Sequence, residues 1–167
     1  SLRTKFPQYY KIFQEKDFTW DGITQKNRNP MLQKGLGADG LKTGHTEEAG
    51  YGLVGSAKRG NRRVTFVISG LKSAKKRTFE SEKIIKWAYR DFNVKKIASK
   101  GQIIGQMPIW LGEKTDVALF AKEDIFILIP ATQESQIRTL ISYSHPITAP
   151  FKAGDKSPAK LKIIYEN

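Results

Sequence analysis

The chain has 167 residues, 39% hydrophobic and 27% charged, with a formal net charge of +13. That is enough for one domain or two small ones, in a composition suited to a soluble globular protein. The absence of cysteine excludes disulfides and finger-type zinc sites, and no apolar run is long enough to span a bilayer. The sequence opens at Ser1 with neither an initiator methionine nor a signal peptide, so a processed or cut piece of something longer is the expectation. Up to Asn93 there are 19 basic and 9 acidic residues, against 10 and 7 beyond it. A basic surface of this kind suits nucleic acid, an anionic membrane or an anionic polymer such as cell wall, and equally a solvated lysine-rich face.

In chain order, residues 6–13 are aromatic-rich and carry Pro7, which predicts a short helical turn. Phe18-Thr19-Trp20 and Ile23-Thr24 flank Asp21-Gly22, a type I′ hairpin signal. Asn27-Arg28-Asn29-Pro30 reads as a turn. Residues 36–46 form a predicted strand, with Gly37 and Gly40 allowing close backbone approach or a bulge. Residues 51–57 and 63–68 are two further strands, so short links make an antiparallel meander. From residue 75 to 92 the apolar period becomes helical through Ile84, Ile85, Ala88 and Phe92. That stripe is expected to pack on the sheet, with Trp87 and Tyr89 as packing residues. After a boundary near residues 93–96, short apolar segments at 101–104, 107–111, 116–120, 125–130, 136–143 and 161–165 predict a small β-sandwich.

The chemistry concentrates in Lys42-Thr43-Gly44-His45-Thr46. On a strand, Lys42, Gly44 and Thr46 share one side and Thr43 and His45 the other. At the rim of a cleft they offer an ammonium, a hydroxyl and backbone N–H groups to one anionic ligand. His45 and His145 are the only histidines and fall in different predicted domains, which disfavours a histidine metal site or a Ser-His-Asp triad. A lysine base or a lysine electrostatic clamp is the device that remains. The basic run Lys72-Ser73-Ala74-Lys75-Lys76-Arg77 precedes the predicted helix, where a helix start and an arginine fork suit a carboxylate; a solvated turn is the plain alternative. Gly35-Leu36-Gly37-Ala38-Asp39-Gly40 matches G-x-G-x-x-G by letter but leads into a strand, not a helix, so it is no dinucleotide loop. No RNP, KH or helix-turn-helix pattern supports nucleic-acid binding.

Taken together, residues 15–23 (Glu-Lys-Asp-Phe-Thr-Trp-Asp-Gly-Ile), Asn27-Arg28-Asn29, Asp39-Gly40-Leu41-Lys42-Thr43-Gly44-His45-Thr46 and Ala49-Gly50-Tyr51 resemble the low-molecular-mass penicillin-binding proteins. Within them the chain is similar to the serine-type D-alanyl-D-alanine carboxypeptidases with a C-terminal β-sandwich. K-T-G is one of the motifs shared by penicillin-binding proteins and β-lactamases. The resemblance implies an α+β fold: the C-terminal part of a β-lactamase/transpeptidase-like catalytic domain over residues 1–93, an antiparallel sheet plus helix. An all-β sandwich follows over 94–167, incomplete at its C-terminus. It also implies roles. Lys42 supplies positive potential and assists proton transfer, and the backbone N–H of His45 is half of the oxyanion hole. Thr43 contacts the substrate's terminal carboxylate with Arg77 near it, and Gly44 and Thr46 are further substrate-binding positions. The implied reaction is acyl transfer through a serine ester to water. Implied partners are the peptidoglycan stem peptide and β-lactam antibiotics, with no cofactor, no metal and no nucleic acid. The implied location is extracytoplasmic or periplasmic, on the cytoplasmic membrane through a C-terminal anchor that this sequence lacks.

One departure is decisive. The family's nucleophile motif S-x-x-K and its S-x-N motif should both precede K-T-G, yet no S-x-N occurs anywhere. S-x-x-K occurs by letter at residues 69–72, 73–76 and 157–160, all after K-T-G, and Pro158 sits in the third. The expectation is therefore a C-terminal portion of a carboxypeptidase that is inactive alone, its N-terminal half missing. The competing reading is a non-catalytic module that binds cell wall or a partner through its basic surface.

Overall fold

The computed structural model describes residues 2–155 and 157–165, and the chain falls into two units, Ser1–Arg90 and Asp91–Asn167. The first opens with two single-turn helices, α1 (Leu2–Lys5) and α2 (Pro7–Tyr10), and a 3-10 turn, Lys11–Gln14. Pro7 opens α2, where a missing N–H costs nothing. Strands β1 (Asp17–Trp20) and β2 (Ile23–Lys26) pair antiparallel across Asp21-Gly22. Both turn residues have positive φ, 48° and 75°, as a type I′ turn demands.

The functional frame is a meander of β3 (Ala38–Thr46), β4 (Gly50–Arg59) and β5 (Arg62–Leu71), in the order β3-β4-β5. Both devices expected of its glycines occur. A Cβ on Gly37 would stand 2.4 Å from the Lys58 carbonyl oxygen, and the β3–β4 register shifts between Ala38 and Gly40. Helix α3 (Ala74–Asp91) follows, its first turn capped by the Ser73 hydroxyl, which accepts from Lys76 N–H at 3.1 Å. The helix buries Arg77, Ser81, Ile85 and Ala88, one stripe at helical spacing. The core joins Met31, Leu36, Leu53, Ala57 and Ile85, with Phe66, Ile68 and Tyr89 packed against it. The Tyr89 hydroxyl donates to the Ala57 carbonyl at 2.9 Å, which ties the helix to β4. On the outer face, Lys86–Glu82 at 2.7 Å and Lys76–Glu80 at 3.7 Å are i,i+4 pairs, worth only tenths of a kcal/mol each.

The second unit is all β apart from a 3-10 segment, Ala131–Gln136. Its strands are β6 (Phe92–Ala98), β7 (Ile103–Trp110), β8 (Asp116–Phe120), β9 (Ile125–Pro130), β10 (Ile137–Ser142), β11 (Ile147–Thr148) and β12 (Lys160–Tyr165). They form the sheets β6-β9, β11-β7-β8 and β10-β12. A Cβ on Gly105 of β7 would lie 2.6 Å from Ile141 Cγ1 of β10, so strands of separate sheets meet face to face there, as in a sandwich. Ala98, Met107, Ala121 and Ile129 are buried.

Four local expectations change. Residues 93–96, placed at the boundary, belong to β6, and Phe92 begins that strand instead of ending the helix. Segments 101–104 and 107–111 are one strand, β7, running through Pro108. Trp87 is 51% exposed, because it lies off the stripe that Arg77, Ser81, Ile85 and Ala88 define. Four of the six residues in the basic run at 72–77 are helical, since α3 starts at Ala74.

Candidate active site

β3 is an outer strand of its sheet, so one edge of the K-T-G segment has no strand partner. Its register sets Lys42 opposite Val54, Thr43 opposite Leu53, Gly44 opposite Gly52 and His45 opposite Tyr51. Thr43 therefore shares the face of the core residue Leu53 and is buried, while Lys42 lies on the other face, exposed. The Lys42 ammonium donates to the Thr43 carbonyl at 2.8 Å and has no ion-pair partner among the described residues. A Cβ built on Gly44 meets no protein atom within 4 Å. Among the described residues nothing requires a glycine there, and the space beside it is open. The Thr46 hydroxyl accepts from Ala49 N–H at 2.9 Å and is thus engaged in closing the β3–β4 turn.

Arg77 is the other charged group that the sequence singled out. It sits in the first turn of α3, only 8% exposed, and its Nε has no hydrogen-bond partner among the described residues. Burial pulls its pKa below the ordinary arginine value. Its guanidinium carbon lies 5.6 Å from the centroid of the Tyr51 ring, within the range of a cation–π contact. The Tyr51 ring lies 3.9 Å, centroid to centroid, from the His45 ring. Arg77, Tyr51 and His45 thus form a row at the end of β3. Sequence reading named the outer two and missed Tyr51, whose signal was its place across a short hairpin from His45.

A cleft of about 300 Å³ opens at the other end of the motif, lined by Phe13, Asn27, Arg28, Leu41, Lys42 and Thr43 among others. Arg28 is exposed and held between two asparagines. The Asn27 amide donates to the Glu15 carbonyl at 2.9 Å and its carbonyl accepts from Asn29 N–H at 2.9 Å. The buried Asn29 accepts from Met31 N–H at 3.1 Å. This accounts for the N-R-N turn physically: the asparagines fix the backbone and present the arginine between them. A larger cleft of about 500 Å³ beside it is lined by Ile12, Phe18, Gln25 and Lys26 among others, with no K-T-G residue, so size does not mark the chemistry.

The base of β3 is anchored by charge. Arg63 donates to the Asp39 carboxylate at 2.7 Å and to the Ser56 hydroxyl at 2.6 Å, and the Tyr10 hydroxyl donates to the same Asp39 oxygen at 3.0 Å. Burial alone would raise the Asp39 carboxyl; the hydrogen bonds from Arg63 and Tyr10 and the Arg63 charge outweigh it and hold the carboxyl below its ordinary value. Asp39 is three residues ahead of Lys42, so this network fixes α2 and three strands around the motif. Among the described residues no three His, Cys, Asp or Glu side chains converge to hold a metal, and no helix is long and apolar enough to cross a membrane.

Residues 1–73 match the family described as D-alanyl-D-alanine carboxypeptidase, and residues 92–157 match the penicillin-binding protein 5 C-terminal domain. The chain is 37% identical over 149 residues to the D-alanyl-D-alanine carboxypeptidase DacD of Escherichia coli, covering 88% of this chain and 38% of that protein. It is 40% identical over 134 residues to DacA of Haemophilus influenzae, covering 79% and 34%. The structure of penicillin binding protein 5 from Haemophilus influenzae superposes with a TM-score of 0.83 at 35% identity, over 99% of this chain and 48% of that one. The chain belongs to the low-molecular-mass penicillin-binding proteins. It spans somewhat over a third of these curated relatives. As in the sequence reading, this penicillin-binding protein chain has the α+β frame followed by the all-β unit.

Proposed function

We propose that this chain supplies the K-T-G wall of a serine-type D-alanyl-D-alanine carboxypeptidase, which removes the terminal D-alanine of the peptidoglycan pentapeptide through an acyl-enzyme. One observation carries the reading. Around Lys42-Thr43-Gly44 there is, among the described residues, an ammonium with no ion-pair partner, an open space at Gly44 and, beyond Tyr51, a buried arginine whose Nε has no acceptor. A buried guanidinium N–H without an acceptor is costly, and a ligand carboxylate would meet that cost.

In this reading Thr43 and Arg77 hold the terminal carboxylate, and Gly44 leaves room for the peptide beside the strand. A serine from outside this chain attacks the penultimate carbonyl carbon. Charge develops on the carbonyl oxygen, which the His45 backbone N–H stabilises. The tetrahedral intermediate collapses with the amine of D-alanine as leaving group, which takes up a proton, and water then hydrolyses the ester. Lys42 keeps the potential positive where the serine loses its proton. The asparagine-held Arg28 adds to that potential. The setting is extracytoplasmic, where peptidoglycan is made, and β-lactams are substrate mimics for the same wall. The chain alone lacks a preceding S-x-x-K and any S-x-N and does not acylate.

D-alanine release from a peptide ending in D-alanyl-D-alanine tests this. The product of the full reading frame is expected to turn over, Lys42→Ala in it to lose about 100-fold or more, and the isolated chain to release none. Equal turnover by Lys42→Ala, or turnover by the isolated chain, would refute the assignment. Retention of the isolated chain on purified peptidoglycan without any turnover by the full product would favour a binding module instead.

A further inference from the structure

We infer that Tyr51 is a positioning residue: its ring holds the Arg77 guanidinium in the site for an anionic ligand, and braces it against the His45 end of the K-T-G strand. The inference rests on the carboxylate reading of Arg77 given above, and it adds a residue that no motif argument assigns.

Three observations lead to it. First, the row is built from both sides. Tyr51 is paired directly with His45 across the β3–β4 hairpin, the two ring centroids are 3.9 Å apart, and the Arg77 guanidinium carbon lies 5.6 Å from the centroid of the Tyr51 ring. Second, Arg77 has little else to hold it. Its Nε lacks a hydrogen-bond partner, and no carboxylate among the described residues pairs with it. The electron-rich ring face is therefore the group that opposes its charge. Third, the work is done by the ring and not by the phenol. The Tyr51 hydroxyl makes no hydrogen bond with any described residue, so tyrosine and phenylalanine are equivalent here.

The physical consequence follows from desolvation. Arginine has a long, flexible stem and regains hydration by swinging outward. A cation–π contact that is partly withdrawn from water offsets that gain, and so keeps the fork where an incoming carboxylate can be bound without first paying to order it. Removing the ring lets the guanidinium leave. An aliphatic side chain at 51 fills the space but offers no negative face.

The test uses the product of the full reading frame, labelled with nitrogen-15 and with carbon-13 in its methyl groups, with the Arg77 Nε–Hε resonance as reporter and N-acetyl-D-alanine as the probe carboxylate. The wild type is expected to show an Arg77 signal shifted upfield by the Tyr51 ring, moving saturably as the probe is added. Tyr51→Phe should behave as the wild type. Tyr51→Leu should return the signal to the position of a free arginine and weaken probe binding about tenfold, while the methyl signals of Leu53 and Ile85 stay in place. An unshifted Arg77 signal in the wild type overturns the inference whatever the variants do. So does a Tyr51→Leu protein with unchanged Arg77 signal and affinity, or a Tyr51→Phe protein that loses as much as Tyr51→Leu. If Tyr51→Leu releases the Arg77 signal but the probe moves it in no variant, the positioning stands and the carboxylate reading of Arg77 falls.

Discussion

Asp39→Asn isolates the charge that anchors the K-T-G strand. The substitution keeps the shape and an acceptor oxygen but removes the carboxylate that accepts from Arg63 at 2.7 Å and from Tyr10 at 3.0 Å. Both side chains of the Arg63–Asp39 pair are only 18% exposed, so solvent screens them little. A hydrogen bond to a charged group is worth about 1.5–3 kcal/mol and a neutral one about 0.5–1.5. Losing the carboxylate makes the Tyr10 bond a neutral one and removes the Arg63–Asp39 ion pair, which together cost about 2 kcal/mol. With a urea m-value of about 2 kcal/mol/M, the midpoint of the first unit's transition falls by about 1 M at pH 7. The pH dependence carries the sign. The native Asp39 pKa is below the ordinary 3.8, so its contribution is complete above that value and is lost as pH falls through the native pKa. Urea titrations at pH 7 and at steps down to pH 2 should show the gap between wild type and variant closing only in the acid range. An equal midpoint at pH 7, or a gap that stays constant to pH 2, would refute the network's role.

Other outcomes follow from single positions. Gly44→Ala should leave the urea midpoint unchanged or slightly raised, since its Cβ meets nothing and alanine orders the chain better. In the product of the full reading frame the same change should slow acylation by about tenfold or more, read by penicillin labelling kinetics, as a methyl intrudes on the ligand's space. Leu53→Ala, in a side chain 1% exposed, should cost about 3 kcal/mol by cavity formation, measured by denaturation. Ser81→Ala should be neutral or stabilising, because the buried Ser81 Oγ has no hydrogen-bond partner and its removal ends a desolvation cost.

Local rules carried the reading where local chemistry decides the structure. Asp21-Gly22 gave the hairpin, Gly37 and Gly40 the close approach and the bulge, and the Ile85–Ala88 spacing the helix. The second unit was harder. β6 carries Lys95-Lys96 in its middle and reads as a polar link, although its pairing with β9 is set by long-range contact. β7 reads in sequence as two short segments, 101–104 and 107–111, yet its pairing with β8 runs from Ile103 through to Pro108, opposite Asp116 at the end of the ladder. Within the site, the K-T-G alternation followed from strand geometry alone. Tyr51 did not, because a ring in contact with a histidine and with an arginine from a later helix depends on the register of one hairpin and the packing of α3. Arg28 lay in a turn that was recognised, but the side-chain bonds of Asn27 and Asn29 that present it needed coordinates.

Covalent labelling by a fluorescent penicillin tests the central claim most directly. The product of the full reading frame should take up one label per chain, its Lys42→Ala variant should label far more slowly, and the isolated 167-residue chain should not label at all. Covalent labelling of the isolated chain, or none in the full product, would contradict the assignment of this chain as the K-T-G wall of an acylating enzyme.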